Sequence, residues 1–164
     1  MKCRIANQKQ IRKKCDEETW RLSPVAILSM LFVGETKLQF GYEKMRKLAE
    51  CVGNRYDDIS QKYVTLEDLI ECLKDTDHVS LDYKIEYRPT HTLDDAIRNA
   101  EYTQRAFATA VFASVLCDKF WFKDKKAQQS VKWFEQTFDK LKDRPRAIRA
   151  LQERYFTDYE VSVS

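Results

Sequence analysis

The stretches that decide the fold are PVAILSMLFVGETKLQFGYEK at residues 24–44 and AFATAVFASVLCDKFWFKDKK at residues 106–126. Each begins as a run that is apolar on every side, passes through a short basic and aromatic turn, and hands over to a charged segment. A helix apolar all round belongs in the centre of a fold. The two stretches lie 82 residues apart, half the length of the 164-residue chain.

At that offset residues 26–81 align on residues 108–163 without a gap. Ten pairs are identical: Ala26/Ala108, Val33/Val115, Lys37/Lys119, Phe40/Phe122, Lys44/Lys126, Asp57/Asp139, Leu69/Leu151, Glu71/Glu153, Val79/Val161 and Ser80/Ser162. Large apolar groups also keep register in Leu38/Phe120, Val52/Phe134, Tyr56/Phe138, Ile59/Leu141, Leu66/Ile148 and Leu73/Tyr155. Self-similarity at one fixed period marks a repeated structural unit. The expected fold is therefore mainly α: two tandem helical units, residues 1–82 and 83–164, packed as one domain, with about seven helices and a short two-stranded β ribbon.

Period and caps place the elements. Residues 5–19 read as a short basic helix, and Ser23-Pro24 reads as an N-cap with Pro at the first helical position of a second helix reaching about residue 36. A third spans 42–62, with Met45, Leu48, Val52, Tyr56, Ile59 and Tyr63 at helical spacing on one side. Thr65 and Asp68 read as a capping box for the next helix, Thr92 and Asp95 cap a long one to about 118, residues 123–142 form another, and Pro145 opens the last. VSLDYKIEY at 79–87 alternates with period two, and Val161-Ser162-Val163 matches its start, so these two pieces could pair as the ribbon if helices lie behind it. Gly53, inside the third helix, reads as a point of close packing or a kink.

Composition narrows the function class. With 43% apolar and 34% charged residues and only three Gly and three Pro, the chain can bury a core and is poor in helix breakers. The net charge of +3 permits a nucleic-acid partner without demanding one. No apolar run approaches the roughly 18 residues that span a bilayer, and the start MKCRIANQKQIRKK has no apolar middle region, so a cytoplasmic protein with no membrane partner is expected. Five cysteines without a C-x-x-C pair are expected to be reduced and mostly buried.

No catalytic, metal or cofactor site is legible. Gly34, Gly41 and Gly53 form no phosphate loop, and His78 and His91 have no neighbouring ligand set. The acid pairs Asp57/Asp58, Glu67/Asp68 and Asp94/Asp95 could be imagined as acid–base groups, but two of them fall in the first turns of helices, where a carboxylate satisfies free N–H groups and the dipole.

Basic residues are more suggestive. Lys2, Arg4, Lys9, Arg12, Lys13 and Lys14 crowd the first helix, and Lys119, Lys123, Lys125 and Lys126 crowd the second turn, with Trp121 among them. Such groups can meet phosphates while an indole stacks on an unpaired base. The counterpart of Trp121 is Gln39, and a side chain that is large and aromatic in one copy only is a candidate for a contact surface. Tyr83 joins it as a candidate from the alternating segment.

Residues 115–141, VLCDKFWFKDKKAQQSVKWFEQTFDKL, and residues 37–73, KLQFGYEKMRKLAECVGNRYDDISQKYVTLEDLIECL, resemble a group of small uncharacterised phage and prophage proteins of Gram-positive bacteria. In that group a D-K-F-G-F-G-K-K-R-like turn joins two helices and a G-Y-V-T-x-x-D-I-like cap opens the next. Gly41 keeps one glycine of the turn in the first copy, whereas Trp121 and Lys123 replace glycines in the second. The resemblance implies a phage origin and brings no catalytic residue. The leading expectation is a non-enzymatic phage-type accessory protein that binds a host or phage protein through Trp121, Lys119, Lys123, Lys125, Lys126 and Tyr83, with inhibition of a bacterial defence system such as a CRISPR effector as its specific form. The alternative is nucleic-acid binding in phage replication or transcription control, through Lys9, Arg12, Lys13 and Lys14 together with the Lys119–Lys126 turn.

Overall fold

The computed structural model describes residues 7–83 and 91–164. Six helices account for most of them: α1 (Gln8–Thr36), α2 (Tyr42–Ser60), α3 (Leu66–Thr76), α4 (Leu93–Phe120), α5 (Asp124–Leu141) and α6 (Pro145–Tyr159). The capping box read from sequence starts α3, where Thr65 Oγ1 accepts from the Asp68 N–H and Asp68 Oδ2 accepts from the Thr65 N–H, and the Thr92 cap starts α4, where Thr92 Oγ1 accepts from the Asp95 N–H. These bonds occupy amide donors that a helix start leaves unpaired.

The first two expected helices are one. α1 runs unbroken through Pro24, although a Pro inside a helix forfeits one amide bond and crowds the preceding turn, at a cost of about 3 kcal/mol. Tertiary contact on both sides of Pro24 offsets that cost. Ile11 and Leu22 are buried before it, Val25, Ala26 and Leu28 after it, and Gln104 and Arg21 tie the first half down by donating to the carbonyls of Thr19 (3.0 Å) and Lys142 (2.6 Å).

The ribbon is not seen among the described residues. Residues 79–83 and 161–163 lie outside any strand, and residues 84–87 fall outside the described residues. The N–H of Val79 turns back to the Leu73 carbonyl and that of Val161 to the Tyr155 carbonyl. Gln128 and Gln152 side chains donate to the carbonyls of Ser80 and Val163. With those groups already engaged, the segments have fewer free partners to offer each other.

α1 and α4 form the centre. Their C-terminal ends meet where Phe40 stacks on Phe120 at 4.8 Å, while far upstream Gln104 meets Thr19, so the two helices run side by side in one direction. α2 and α5 each pack on both central helices, α3 packs on α4, and α6 packs on α1 and α2. The third helix of each half thus rests on the central helix of the other.

The halves use the same backbone devices 82 positions apart. Gln39 and Trp121 both turn through the left-handed region (φ 55° and 58°), and the next N–H, of Phe40 or Phe122, reaches back to the carbonyl of Gly34 or Leu116. His78 and Glu160 do the same (φ 56° each) ahead of Val79 and Val161. Size is exchanged between partners as well. A Cβ on Gly34 would lie 2.9 Å from Leu48 Cδ2, whereas the corresponding pair is Leu116 with the small Ser130, and all four residues are buried. Gly53, by contrast, has nothing within 4 Å of such a Cβ, so close packing is not its role. The thiols differ from expectation too: Cys72 is exposed and Cys15, Cys51 and Cys117 are half-buried, because Leu69 and Leu73 take the inward side of α3 and leave Cys72 outward.

Two stability predictions follow from the paired positions. Gly34→Leu should destabilise by about 1–3 kcal/mol through overpacking, and adding Leu48→Ser, which reproduces the Leu116/Ser130 pair, should recover part of it in a denaturant double-mutant cycle; strictly additive losses would contradict the size exchange. Tyr56, whose enclosed hydroxyl has no hydrogen-bond partner, corresponds to Phe138, so Tyr56→Phe should stabilise by about 1 kcal/mol in the same assay, and a clear loss would mean that the hydroxyl is satisfied.

Candidate functional site: a lysine groove over an aromatic floor

The two turns that the apolar helices feed, residues 37–41 and 119–123, come together at one end of the molecule. Three rings make the floor between them: Phe40 lies nearly parallel to Phe120, and Phe122 meets both edge-on, at 6.3 and 6.5 Å. Offset and edge-on pairs of this kind add about 0.5–1.5 kcal/mol each beyond their burial. The three rings pack on one another, and a cavity of about 720 Å³ opens above them.

Lysines from both halves line that cavity: Lys44 and Lys47 from α2, and Lys119, Lys123 and Lys126 from the second turn and the start of α5. Three of them lie over the rings: Lys44 Nζ is 5.6 Å from the centroid of Phe40, Lys47 Nζ 4.9 Å from Phe120 and Lys126 Nζ 4.2 Å from Phe122. The Lys44/Phe40 and Lys126/Phe122 pairs occupy corresponding positions of the two halves. Lys47 also donates to the Lys119 carbonyl at 2.8 Å. An ammonium over a ring face is attracted by the quadrupole and keeps its charge uncancelled. Among the described residues, no carboxylate lines the cavity and no ion pair involves any of these five lysines. The nearby Asp118 is held by Arg55 at 3.0 Å.

Two helices begin at this rim. α2 starts from Gly41 and α5 from Lys123, neither with a side-chain cap, whereas Asn7, Thr65 and Thr92 cap α1, α3 and α4. The positive dipole ends add to the local field, offset in part by Glu43 and Asp124 in the two first turns. Trp121, at the left-handed position, stands at the edge of the groove with 67% of its surface exposed.

The sequence-predicted residues fall into three places. Trp121, Lys119, Lys123 and Lys126 share the groove, while Lys125 is exposed outside its lining. Tyr83 sits apart, in a mixed-charge cleft of about 510 Å³ with Arg98, Glu101 and Arg105, where it packs edge-on against Tyr102 and its hydroxyl lies 3.3 Å from Thr109 Oγ1. Lys9, Arg12 and Lys13 line an open face of α1 with Asp16, Glu17 and Trp20. There Lys13 pairs with Glu17 at 4.0 Å, and Lys14 turns to Glu18 at 3.8 Å. Lys2 and Arg4 lie outside the described residues.

Sequence reasoning missed Lys44, Lys47 and Trp20. The identity of Lys44 with Lys126 was a signal for the first, and Lys9, Arg12, Lys13, Asp16 and Trp20 are spaced as one helix face. Trp20 is 80% exposed. The histidine, cysteine and carboxylate side chains among the described residues form no group of three or more that could hold a metal ion. Burial, with Asp77 and Asp118 nearby, pushes the Cys117 thiol up to about 12 and keeps it protonated.

No family model, no curated protein and no solved structure matches this chain.

Burial pushes the Tyr83 hydroxyl up to about 12, against an ordinary value near 10. The folded state then holds a proton that the unfolded chain releases, so this contribution is intact below pH 10 and is lost as pH rises through 12. Wild type should lose stability relative to Tyr83→Phe across that window in denaturant titrations, and parallel curves would place the hydroxyl in water.

Proposed function

We propose that the protein acts by binding nucleic acid in the groove between the two turns, as a phage-type accessory protein rather than as an enzyme. The observation that carries this reading is the set of five lysines from both halves, none of them in an ion pair among the described residues, lining a groove floored by three packed rings, with three of the lysines over those rings. Phosphates are the partner such a set suits best, because each lysine that neutralises one releases a condensed counterion. Surfaces evolved for proteins are enriched in Tyr, Trp and Arg and depleted in Lys, and this lining has five lysines and no arginine. The matching left-handed turns and back-reaching amides support a doubled unit, residues 1–82 and 83–164, whose repetition is what brings two lysine-bearing turns to one place.

A second reading rests on a different observation. Trp121 and Trp20 expose 67% and 80% of their surfaces, and exposed tryptophans are the side chains most used as anchors in protein interfaces. A host or phage protein, including a component of a defence system, is the partner this reading names.

Binding of a dye-labelled oligonucleotide, followed by anisotropy at several salt concentrations, separates the two. The affinity should fall linearly on a log–log plot, and the double variant Lys44→Ala/Lys126→Ala should reduce the magnitude of the slope by about 1.4–1.8, since each phosphate contact contributes roughly 0.7–0.9. Absence of salt-dependent binding, together with nuclease-resistant capture of a host protein lost in Trp121→Ala, would replace this reading with the second.

A further inference from the structure

We infer that the groove takes a single nucleic-acid strand, with its phosphates on the lysines of both halves and one base stacked on the Trp121 indole. This rests on the nucleic-acid reading above and goes beyond it by naming the form of the ligand. Three observations carry it.

The first is the indole itself. Trp121 is held at a left-handed helix end, a conformation that disfavours bulky side chains and that glycine adopts freely. Its neighbours Phe120 and Phe122 are committed to the floor by their contacts with Phe40, while Trp121 stands exposed beside Lys119 and Lys123. A positively charged groove with an adjacent aromatic face is the combination that grips single strands, because every base has a face to stack and every link a phosphate. A duplex buries those faces in its own stack.

The second is size. A cavity of about 720 Å³ is of the order that encloses a drug-sized group. A duplex, broader than its own roughly 12 Å major groove, exceeds what that volume holds, whereas a unit or two of a single strand is on its scale.

The third is asymmetry. The lysines at 44 and 126 and the rings at 40 and 122 correspond across the two halves, but the position of Trp121 is Gln39 in the first half, equally left-handed and exposed. Charge is thus offered from both sides and a stacking face from one. A two-fold duplex gains nothing from that difference, and a strand, which has a direction, does.

The test uses the full chain and dye-labelled 12-nucleotide DNA and RNA strands of mixed sequence, each alone and annealed to its complement, read by anisotropy at fixed salt. Single strands should bind at least tenfold tighter than duplexes. Trp121→Ala should weaken single-strand binding by roughly 5- to 150-fold, the range that loss of one stacked base gives, and duplex binding by less than twofold. Trp121→Phe, which keeps a ring, should restore most of the loss, and this rescue distinguishes stacking from altered packing of the turn. Equal affinity for both forms, or no effect of Trp121→Ala, while binding stays salt-dependent and sensitive to Lys44→Ala/Lys126→Ala, would overturn the single-strand inference and leave the broader reading standing. Absence of salt-dependent binding to any of these nucleic acids would remove both.

Discussion

The contact on which everything else depends is the meeting of α1 and α4 at their C-terminal ends, where Phe40, Phe120 and Phe122 lock together. Helices with Leu28, Met30, Val33, Ala110, Phe112 and Val115 fully buried cannot face water, and each supplies the apolar surface the other needs. Once the two lie side by side in the same direction, the chain must leave both at one end. It does so through a left-handed residue that lets the next amide bond back into the helix and brings the following phenylalanine over the core. Lysines that follow cannot enter the core, so they lie across the rings and point their charge outward. The basic groove is thus a direct result of how two apolar helices end.

Corresponding positions show what that constraint leaves free. Where the core demands volume, the halves conserve the sum and vary the parts, as in Gly34 with Leu48 against Leu116 with Ser130. Tyr56 carries a hydroxyl with no partner where Phe138 carries none. On the surface the halves diverge in chemistry while keeping the same backbone, and Gln39 against Trp121 is the clearest case. Interlocking limits further drift, since α3 rests on α4 and α6 on α1, so a change in one half is felt by the packing of the other.

Much of this was legible in the amino-acid order. The apolar runs, the offset of 82 and the caps at Thr65, Thr92 and Pro145 located the helices to within a few residues, because period and capping are local properties. What failed was decided by contacts distant in sequence. Pro24 looked like a beginning, but burial of Leu22 and Val25 carries the helix through it. Val79-Ser80-Leu81 looked like a strand, but the amide of Val79 is claimed by Leu73 and the carbonyl of Ser80 by Gln128. The groove was half legible. Trp121 and the lysines of the second turn stood out as a cluster, whereas Lys44 and Lys47 join them only when the two central helices run in parallel, a fact that no single stretch of sequence contains. Tyr83 was grouped with Trp121 from the alternating segment, and the fold places it in a separate cleft.

The central claim is that the two turns act together as one anion-binding surface. Backbone amide resonances followed during titration with a short single strand test it most directly. The account predicts that shifts gather in two segments from opposite halves, residues 39–47 and 119–126, and saturate together at a single affinity. Shifts confined to the face of α1 that carries Lys9, Lys13 and Trp20, or confined to one of the two turns, would contradict it.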